Sequence, residues 1–362
     1  MRITFMMPAD DLTGGNRVVA TYAARLRERG HEVLVVSNAA DRPSLRERLR
    51  AVRRGRYRDL RERSRPRPGH VALSGVPHRV IERPRAIEAR DLPDADVLVA
   101  TWWETAMWMD AMPFAKGRKV HLIQGYEVWT GGEVRERVHA ALRLPNRKIA
   151  ISHSLARDVE SALGDVGIAV VPNAVDLARF DAPPRPRGEP PTVGFVYSRA
   201  AIKGADLCAR ACELARREIP HLRVLAFGAD EPSVDLPLPA GTEFHLRPPQ
   251  DRLAALYARC DAWLFASRLD SFGLPILEAM ACRTPVVGVP IGAAPELLSD
   301  GAGRLVPSGS PEQMAAAIVS LCAGPPEQWS ACSERAHRRA HAYSWDDATD
   351  LLLDALRCES TK

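Results

Sequence analysis

The chain has 362 residues, 46% hydrophobic and 26% charged, with a formal net charge of +5. That length suits two domains, each able to bury its own core, and the composition is that of ordinary globular protein. Seven cysteines without C-x-x-C spacing point to a reducing compartment with no disulfide framework and no zinc site, and no apolar run approaches the roughly 18 residues of a membrane span.

Met1-Arg2 leads at once into an apolar strand at 3–7, so no signal peptide is expected and the compartment reads as cytoplasmic. A loop then runs from Asp10 through Gly14, Gly15 and Asn16. Val18, Val19, Tyr22, Ala23 and Leu26 mark one face of a helix closed by Gly30, and 31–36 is the next strand. Glycines between a strand and a helix present free amides to an anion, and they equally mark a plain tight turn. The stretch is not G-x-G-x-x-G, which argues against a dinucleotide enzyme. Residues 42–67 carry twelve arginines against Glu47, Asp59 and Glu62, with Leu45, Leu49, Val52 and Leu60 as a partial apolar stripe. They read first as a solvated helical insertion. The second reading is a segment docking on anionic lipid at the inner face of the membrane, or on an acidic acceptor. Most of the net charge lies here without a nucleic-acid reading motif, so no nucleic-acid partner is expected.

A strand at 96–101 has Trp102, Trp103 and Trp108 on its exit loop, aromatics suited to sugar stacking or to packing. A strand at 119–123 runs into Gln124, Glu127 and Trp129, with Glu127 a candidate acceptor contact or base and His121 structural. After a strand at 148–152 and the segment Asn173-Ala-Val-Asp176, residues 181–191 hold five prolines and read as a linker. The chain restarts with a strand at 192–196 and a loop carrying Ser198, Arg199, Lys203 and Gly204. An Arg and a Lys beside a Gly at a strand-to-helix loop suit a diphosphate, or are plain surface charge. A strand at 222–227 comes next, then a short strand and loop over 243–250 that carries Arg247. Residues 261–267 form a buried strand, and Asp270-Ser-Phe-Gly-Leu-Pro-Ile-Leu-Glu278 crosses a loop into a helix. Pro275 suits the first helical position, which places Glu278 in the first turn. The bland reading of Glu278 is a charge favoured by the positive helix end, worth about 0.3–1 kcal/mol. In open α/β sheets this strand-to-helix edge is where ligands bind. Residues 345–358, with Leu351, Leu352, Leu353 and Leu356, form an amphipathic terminal helix.

The run from Ser267 through Asp270 to Glu278, with Arg199-x-x-x-Lys203-Gly204, Asn173-x-Val-Asp176 and Gly292-Ala-Ala-Pro-Glu296, resembles the motif set of retaining glycosyltransferases of family four. The resemblance implies the GT-B fold, an α/β architecture of two Rossmann-like doubly wound domains facing across a cleft. The implied division is an acceptor-binding domain over 1–180 with 42–67 as an insertion, the linker over 181–191, and a nucleotide-sugar-binding domain over 192–343. Residues 344–362 would form a helix returning to the first domain.

The implied reaction moves a hexose-type sugar from a nucleoside diphosphate sugar, of UDP or GDP type, to a hydroxyl with retention of configuration. Arg199 and Lys203 would neutralise the departing diphosphate, Asp270 would hold hydroxyls of the transferred sugar, and Glu278 would accept from the ribose. The turn Ser271, Phe272, Gly273, Leu274 and the helix start with Glu296 would bind donor, as would Gly14 and Gly15. Gln124 and Asn173 complete the substrate-binding set, and Arg247 would lie against the nucleotide base. No metal and no cofactor beyond the donor co-substrate are implied, because the cations replace the metal. The chain departs from the family at Gln124 (usually His), at Ala174, Arg283 and Ala293 (usually Gly), around Arg247 (where a Gly usually lies nearby), and at Asp270 (usually Glu). Arg283 is expected on the surface end of its helix. The acceptor class is a polysaccharide, a lipid-linked sugar or a secondary metabolite. The alternative is a non-catalytic nucleotide-sugar-binding or membrane-docking protein of the same fold.

Overall fold

The computed structural model describes residues 1–40, 46, 68–128 and 131–357. All but Arg46 of the arginine-rich segment 42–67, and Trp129 with it, lie outside the described residues. The chain divides into two compact units: residues 1–151, 156–171 and 349–362 in the first, and 152–155 and 172–348 in the second.

The first unit holds β1 (Arg2–Met7), α1 (Gly14–Glu28), β2 (Glu32–Ser37), the short α2 (His70–Leu73), β3 (His78–Val80) and β4 (Val97–Ala100). It continues through α3 (Trp103–Asp110), β5 (Arg118–Ile123), α4 (Gly132–Arg143), β6 (Arg147–Ala150), α5 (His153–Leu163) and β7 (Ile168–Val170). Its seven strands pair in parallel in the order β3-β2-β1-β4-β5-β6-β7. Helices cover both faces of a parallel sheet, so its inner strands read as continuous apolar runs. β4 is buried at every residue. The face of α1 marked by Val18, Val19, Tyr22, Ala23 and Leu26 is wholly buried, each large aliphatic side chain contributing about 1.5–3 kcal/mol. Two expectations are corrected here. Gly14 and Gly15 do not lie in a loop but open α1, and the tryptophans after β4 lie on or beside α3 rather than on an open loop. Trp103 is buried, and the Arg137 guanidinium of α4 covers its ring at 4.7 Å.

The second unit holds β8 (Thr192–Tyr197), α6 (Ala205–Ala215), β9 (Arg223–Gly228), β10 (Glu243–Leu246), α7 (Leu253–Ala258), β11 (Ala262–Phe265) and α8 (Leu274–Ala281). Then come β12 (Val286–Gly288), the short α9 (Ala294–Leu297), β13 (Gly303–Leu305), α10 (Pro311–Cys322) and α11 (Pro326–His341). The last helix, α12 (Trp345–Arg357), starts here, and from Thr349 on its residues group with the first unit. There Arg118 donates to the carbonyls of Leu356 (2.8 Å) and Arg357 (3.1 Å). The six strands run parallel in the order β10-β9-β8-β11-β12-β13. Tyr257, Phe227 and Trp263 form an aromatic core with ring centroids 4.5–5.5 Å apart. Each such pair adds about 0.5–1.5 kcal/mol to the burial.

The proline-rich stretch is not a free linker. Arg185 pairs with the buried Asp261 at 2.7 Å, Gly188 donates to the same carboxylate at 2.9 Å, and Arg187 donates to the carbonyl of Gly324 at 2.6 Å. The six described cysteines are buried and unbridged, and burial pushes their thiols up, as for small apolar residues. Among the described residues no helix is long and apolar enough to cross a membrane.

Candidate active site

A doubly wound sheet leaves a crevice beyond the carboxyl ends of its strands where the strand order reverses. In the second unit that point lies between β8 and its neighbour β11. The loop after β8 carries Arg199 and Lys203, and the loop after β11 carries Asp270. Lys203 Nζ lies 2.9 Å from Asp270 Oδ2, the lysine half exposed and the carboxylate largely covered. Gly204 makes this approach possible. Its φ is +66°, and a Cβ there would stand 1.9 Å from the Ala266 carbonyl oxygen, so no side chain fits.

Arg268, which no sequence pattern singled out, holds the Lys203 turn in place. Its backbone N–H donates to Ile202 O (2.7 Å), and its guanidinium to Ala201 O (2.5 Å) and to both carboxylate oxygens of Asp206 (2.9 and 2.6 Å). That bidentate bond holds the Asp206 carboxyl below its usual range. The pair is 62 residues apart in sequence, so no local signal marks it. Arg199 lies on the same loop but points elsewhere: its Nε donates to Glu231 O at 3.0 Å, and its backbone N–H to Asp230 Oδ2 at 3.0 Å.

Asp270 also organises its own turn, accepting from the Phe272 N–H at 3.3 Å. Phe272 O accepts from the Ala293 N–H at 3.1 Å, which draws the loop before α9 onto the turn. Gly292, at φ +60°, is needed there because a Cβ would stand 2.9 Å from Asp270 O. Gly273 caps α8, Ser271 and Leu274 flank it half-buried, and Glu296 sits half-buried on α9.

Glu278 requires a correction. α8 begins at Leu274 with Pro275 second, so Glu278 stands in the second turn, past the reach of the helix end. It is 5% exposed, and its Oε2 accepts from Tyr257 OH at 2.8 Å. The helix-end reading of this acid therefore falls away. A buried carboxylate oriented by a tyrosine is a fixed acceptor.

Arg247 and Arg283 share a backbone conformation. Both have positive φ, +49° and +60°, the region that glycine occupies without strain. Arg247 offsets the strain with bonds from its N–H to Gly228 O (2.7 Å) and from Nε to Ala229 O (2.8 Å). Arg283 is not a surface residue: its Nε donates to Ala182 O at 2.9 Å and its guanidinium pairs with Glu334. Its side chain is only 12% exposed.

In the first unit the strand order reverses between β1 and β4. Gly15 opens α1 beside Gln124, whose Oε1 would lie 3.4 Å from a Cβ at that position. Gln124 Nε2 reaches Thr101 O only at 3.4 Å, and its Oε1 is buried with no hydrogen-bond partner among the described residues. The same holds for Asn173 Oδ1, in the second unit. His121 is buried inside β5, and burial, then the Lys148 charge, pushes its imidazole down to about 3.

Glu127 is 6% exposed, and burial pushes its carboxyl up to about 8. It is therefore protonated at neutral pH, a donor rather than a base. A raised carboxyl contributes no penalty where both folded and unfolded forms are protonated, and destabilises increasingly as pH rises toward its folded value. Glu127→Gln is thus expected to leave the melting midpoint unchanged near pH 4 and to raise it relative to the parent by pH 9. A constant difference across that range would contradict the assignment.

The sequence profile of Glycosyltransferase Family 4 matches residues 12–179, and that of Glycosyl transferases group 1 matches residues 190–323. A D-inositol 3-phosphate glycosyltransferase of Kineococcus radiotolerans is 29% identical over 96% of this chain and 91% of its own length. One from Mycobacteroides abscessus is 34% identical, but that match spans 47% of this chain and only 40% of the relative. Among solved structures, a sucrose-phosphate synthase from Thermosynechococcus elongatus superposes with a TM-score of 0.75 at 17% identity, covering 99% of this chain and 98% of that one. The Anabaena protein HepE, solved with UDP-glucose, superposes with a TM-score of 0.71 at 17% identity, over 98% of this chain and 99% of that one. With two parallel α/β units and both family profiles in tandem, the chain belongs to glycosyltransferase family 4 and has the GT-B fold.

Proposed function

We propose that this glycosyltransferase moves a hexose-type sugar from a nucleoside diphosphate sugar to an acceptor hydroxyl with retention of the anomeric configuration. The observation that carries the reading is the Lys203–Asp270 pair at 2.9 Å on the ligand edge of the second sheet. In this reading Lys203 meets the diphosphate as the glycosidic bond breaks, and Arg199, on the same loop, joins it there by turning away from the Glu231 carbonyl. Asp270, released from the ion pair, accepts from hydroxyls of the sugar. Glu278, fixed by Tyr257, accepts from the ribose hydroxyls. The turn from Ser271 to Leu274 and Glu296 on α9 complete the donor set, and Arg247 lies on the base side. Two cations on one loop supply the charge that a divalent metal supplies elsewhere, so turnover is expected to be indifferent to EDTA. Gly14, Gly15, Gln124 and Glu127, at the corresponding edge of the first unit, are the acceptor-side candidates.

UDP is the first base to test, because HepE was solved with UDP-glucose. D-inositol 3-phosphate is the first acceptor to try, on the relatives' names. The chain is melted with UDP, GDP, TDP, ADP or NAD without metal. One nucleoside diphosphate is expected to raise the midpoint, by about 2.7 kcal/mol of added stability at a hundredfold excess over its dissociation constant. Glu278→Ala is expected to abolish the shift. Stabilisation by NAD alone, or an undiminished shift in Glu278→Ala, would overturn the donor assignment. Proton NMR of the product then reads the anomeric configuration directly.

A further inference from the structure

His337 and His341 stand one turn apart on the same face of α11, their ring centroids 4.0 Å apart. Both present Nε2 to a single oxygen: Asp181 Oδ1 lies 2.9 Å from His337 Nε2 and 4.0 Å from His341 Nε2. The three donor atoms fall within 4.8 Å of one another. An ordinary ion pair would need one of the two histidines, not both. The tautomer of His341 is set as well. Its Nδ1 lies 2.9 Å from the His337 carbonyl oxygen, which can only accept, so Nδ1 carries the proton and Nε2 is the nitrogen whose lone pair the neutral ring offers. That is how metal-binding imidazoles are held: one ring nitrogen donates to a carbonyl and the other faces the ion.

The geometry points to a divalent transition-metal site formed by His337, His341 and Asp181. Two nitrogens and a carboxylate oxygen suit zinc and its neighbours rather than calcium or magnesium. Ligands at the usual zinc distances stand about 3.3 Å apart in a tetrahedron, and the observed 2.9 and 4.0 Å bracket that value. Side-chain exposures of 58% for Asp181 and 37% for His341 leave the fourth position open to water. The expectation of no zinc site rested on cysteine spacing, which carries no information on histidine ligands. A His-x-x-x-His pair on a helix carries this signal by itself, and its acid comes from 156 residues earlier.

The site belongs to the framework, not to the donor edge. Asp181 heads the proline-rich segment, and Arg283, just past the end of α8, ties the same segment to α11 through Ala182 O and Glu334. Asp270 and Gly273 lie at the opposite end of α8, about 12 Å of helix away. A bound ion clips the head of the proline-rich segment to α11 and acts on stability.

The full chain, stripped with EDTA and desalted, is titrated with Co²⁺ and then with Zn²⁺. A weak visible absorption saturating at a single Co²⁺ per chain is expected, displaced by Zn²⁺, with Zn²⁺ raising the melting midpoint. His341→Ala and Asp181→Asn should each weaken binding at least about 10-fold to 100-fold, the loss that follows removal of even a partner of a ligand. His341→Gln serves if alanine disturbs the helix, judged from the metal-free midpoint. The site is refuted if the parent binds no Co²⁺, if the variants bind as tightly as the parent, or if an intense near-ultraviolet thiolate band reports cysteine ligation instead.

Discussion

Lys203→Ala is expected to lower turnover at least about 100-fold while the Michaelis constant for donor changes little. Removing one preorganised charge from an enzyme site typically costs 10²–10³ in turnover. The loss falls on turnover because charge on the diphosphate grows as the glycosidic bond breaks, so Lys203 interacts more strongly with the transition state than with bound donor. Its position makes the prediction sharp. The ammonium is held at 2.9 Å from Asp270, on a turn braced by Arg268 and pressed onto the Ala266 carbonyl through Gly204. Steady-state kinetics with saturating acceptor is the measurement. Unchanged turnover would remove Lys203 from the leaving-group role, and a rise in the Michaelis constant alone would make it a ground-state contact.

Asp261→Ala is expected to cost about 3–5 kcal/mol, the usual result of stripping one partner from a buried ion pair. Asp261 is 1% exposed and its carboxylate accepts from Arg185 Nη1 (2.7 Å), the Gly188 N–H (2.9 Å) and the Thr192 N–H (2.8 Å). Without it, two amides and a guanidinium lose their acceptor together. That guanidinium lies over the Trp329 ring, 4.9 Å from its centroid, and Trp329 Nε1 donates to the Asp261 carbonyl at 2.8 Å. The loss therefore spreads from the proline-rich segment to the seat of α11. For a unit of this size the midpoint should fall by roughly 10 °C. A fall of less than about 2 °C in thermal melts, with a matching guanidinium titration, would show that the segment is held by its prolines and not by this carboxylate.

These two residues were not equally legible. Lys203 stands beside a glycine at a strand-to-helix loop, and the type of residue at that place already named its chemistry. Asp261 read only as the first residue of a buried strand, and the five prolines of 181–191 read as a linker. Helix starts were misplaced by a few residues at two sites, since propensity sets a helix but not its first turn. So Gly14 and Gly15 moved from a loop into α1, and Glu278 from the first turn of α8 into the second. Arg283 was noticed as a departure from glycine, and its positive φ supplies the reason the position prefers glycine.

By itself the sequence determined what depends on neighbours along the chain: which runs are strands buried on both faces, which helix face is apolar, and which loops between them carry Arg199, Lys203 and Asp270. Burial periodicity and local residue type suffice for that. Only the tertiary structure decided the pairings. Lys203 with Asp270, Arg268 with Asp206, Tyr257 with Glu278 and Asp181 with two histidines join residues 21 to 160 positions apart. Such contacts follow from strand order and loop closure in three dimensions, and residue type along the chain carries no record of which partner a charge will meet.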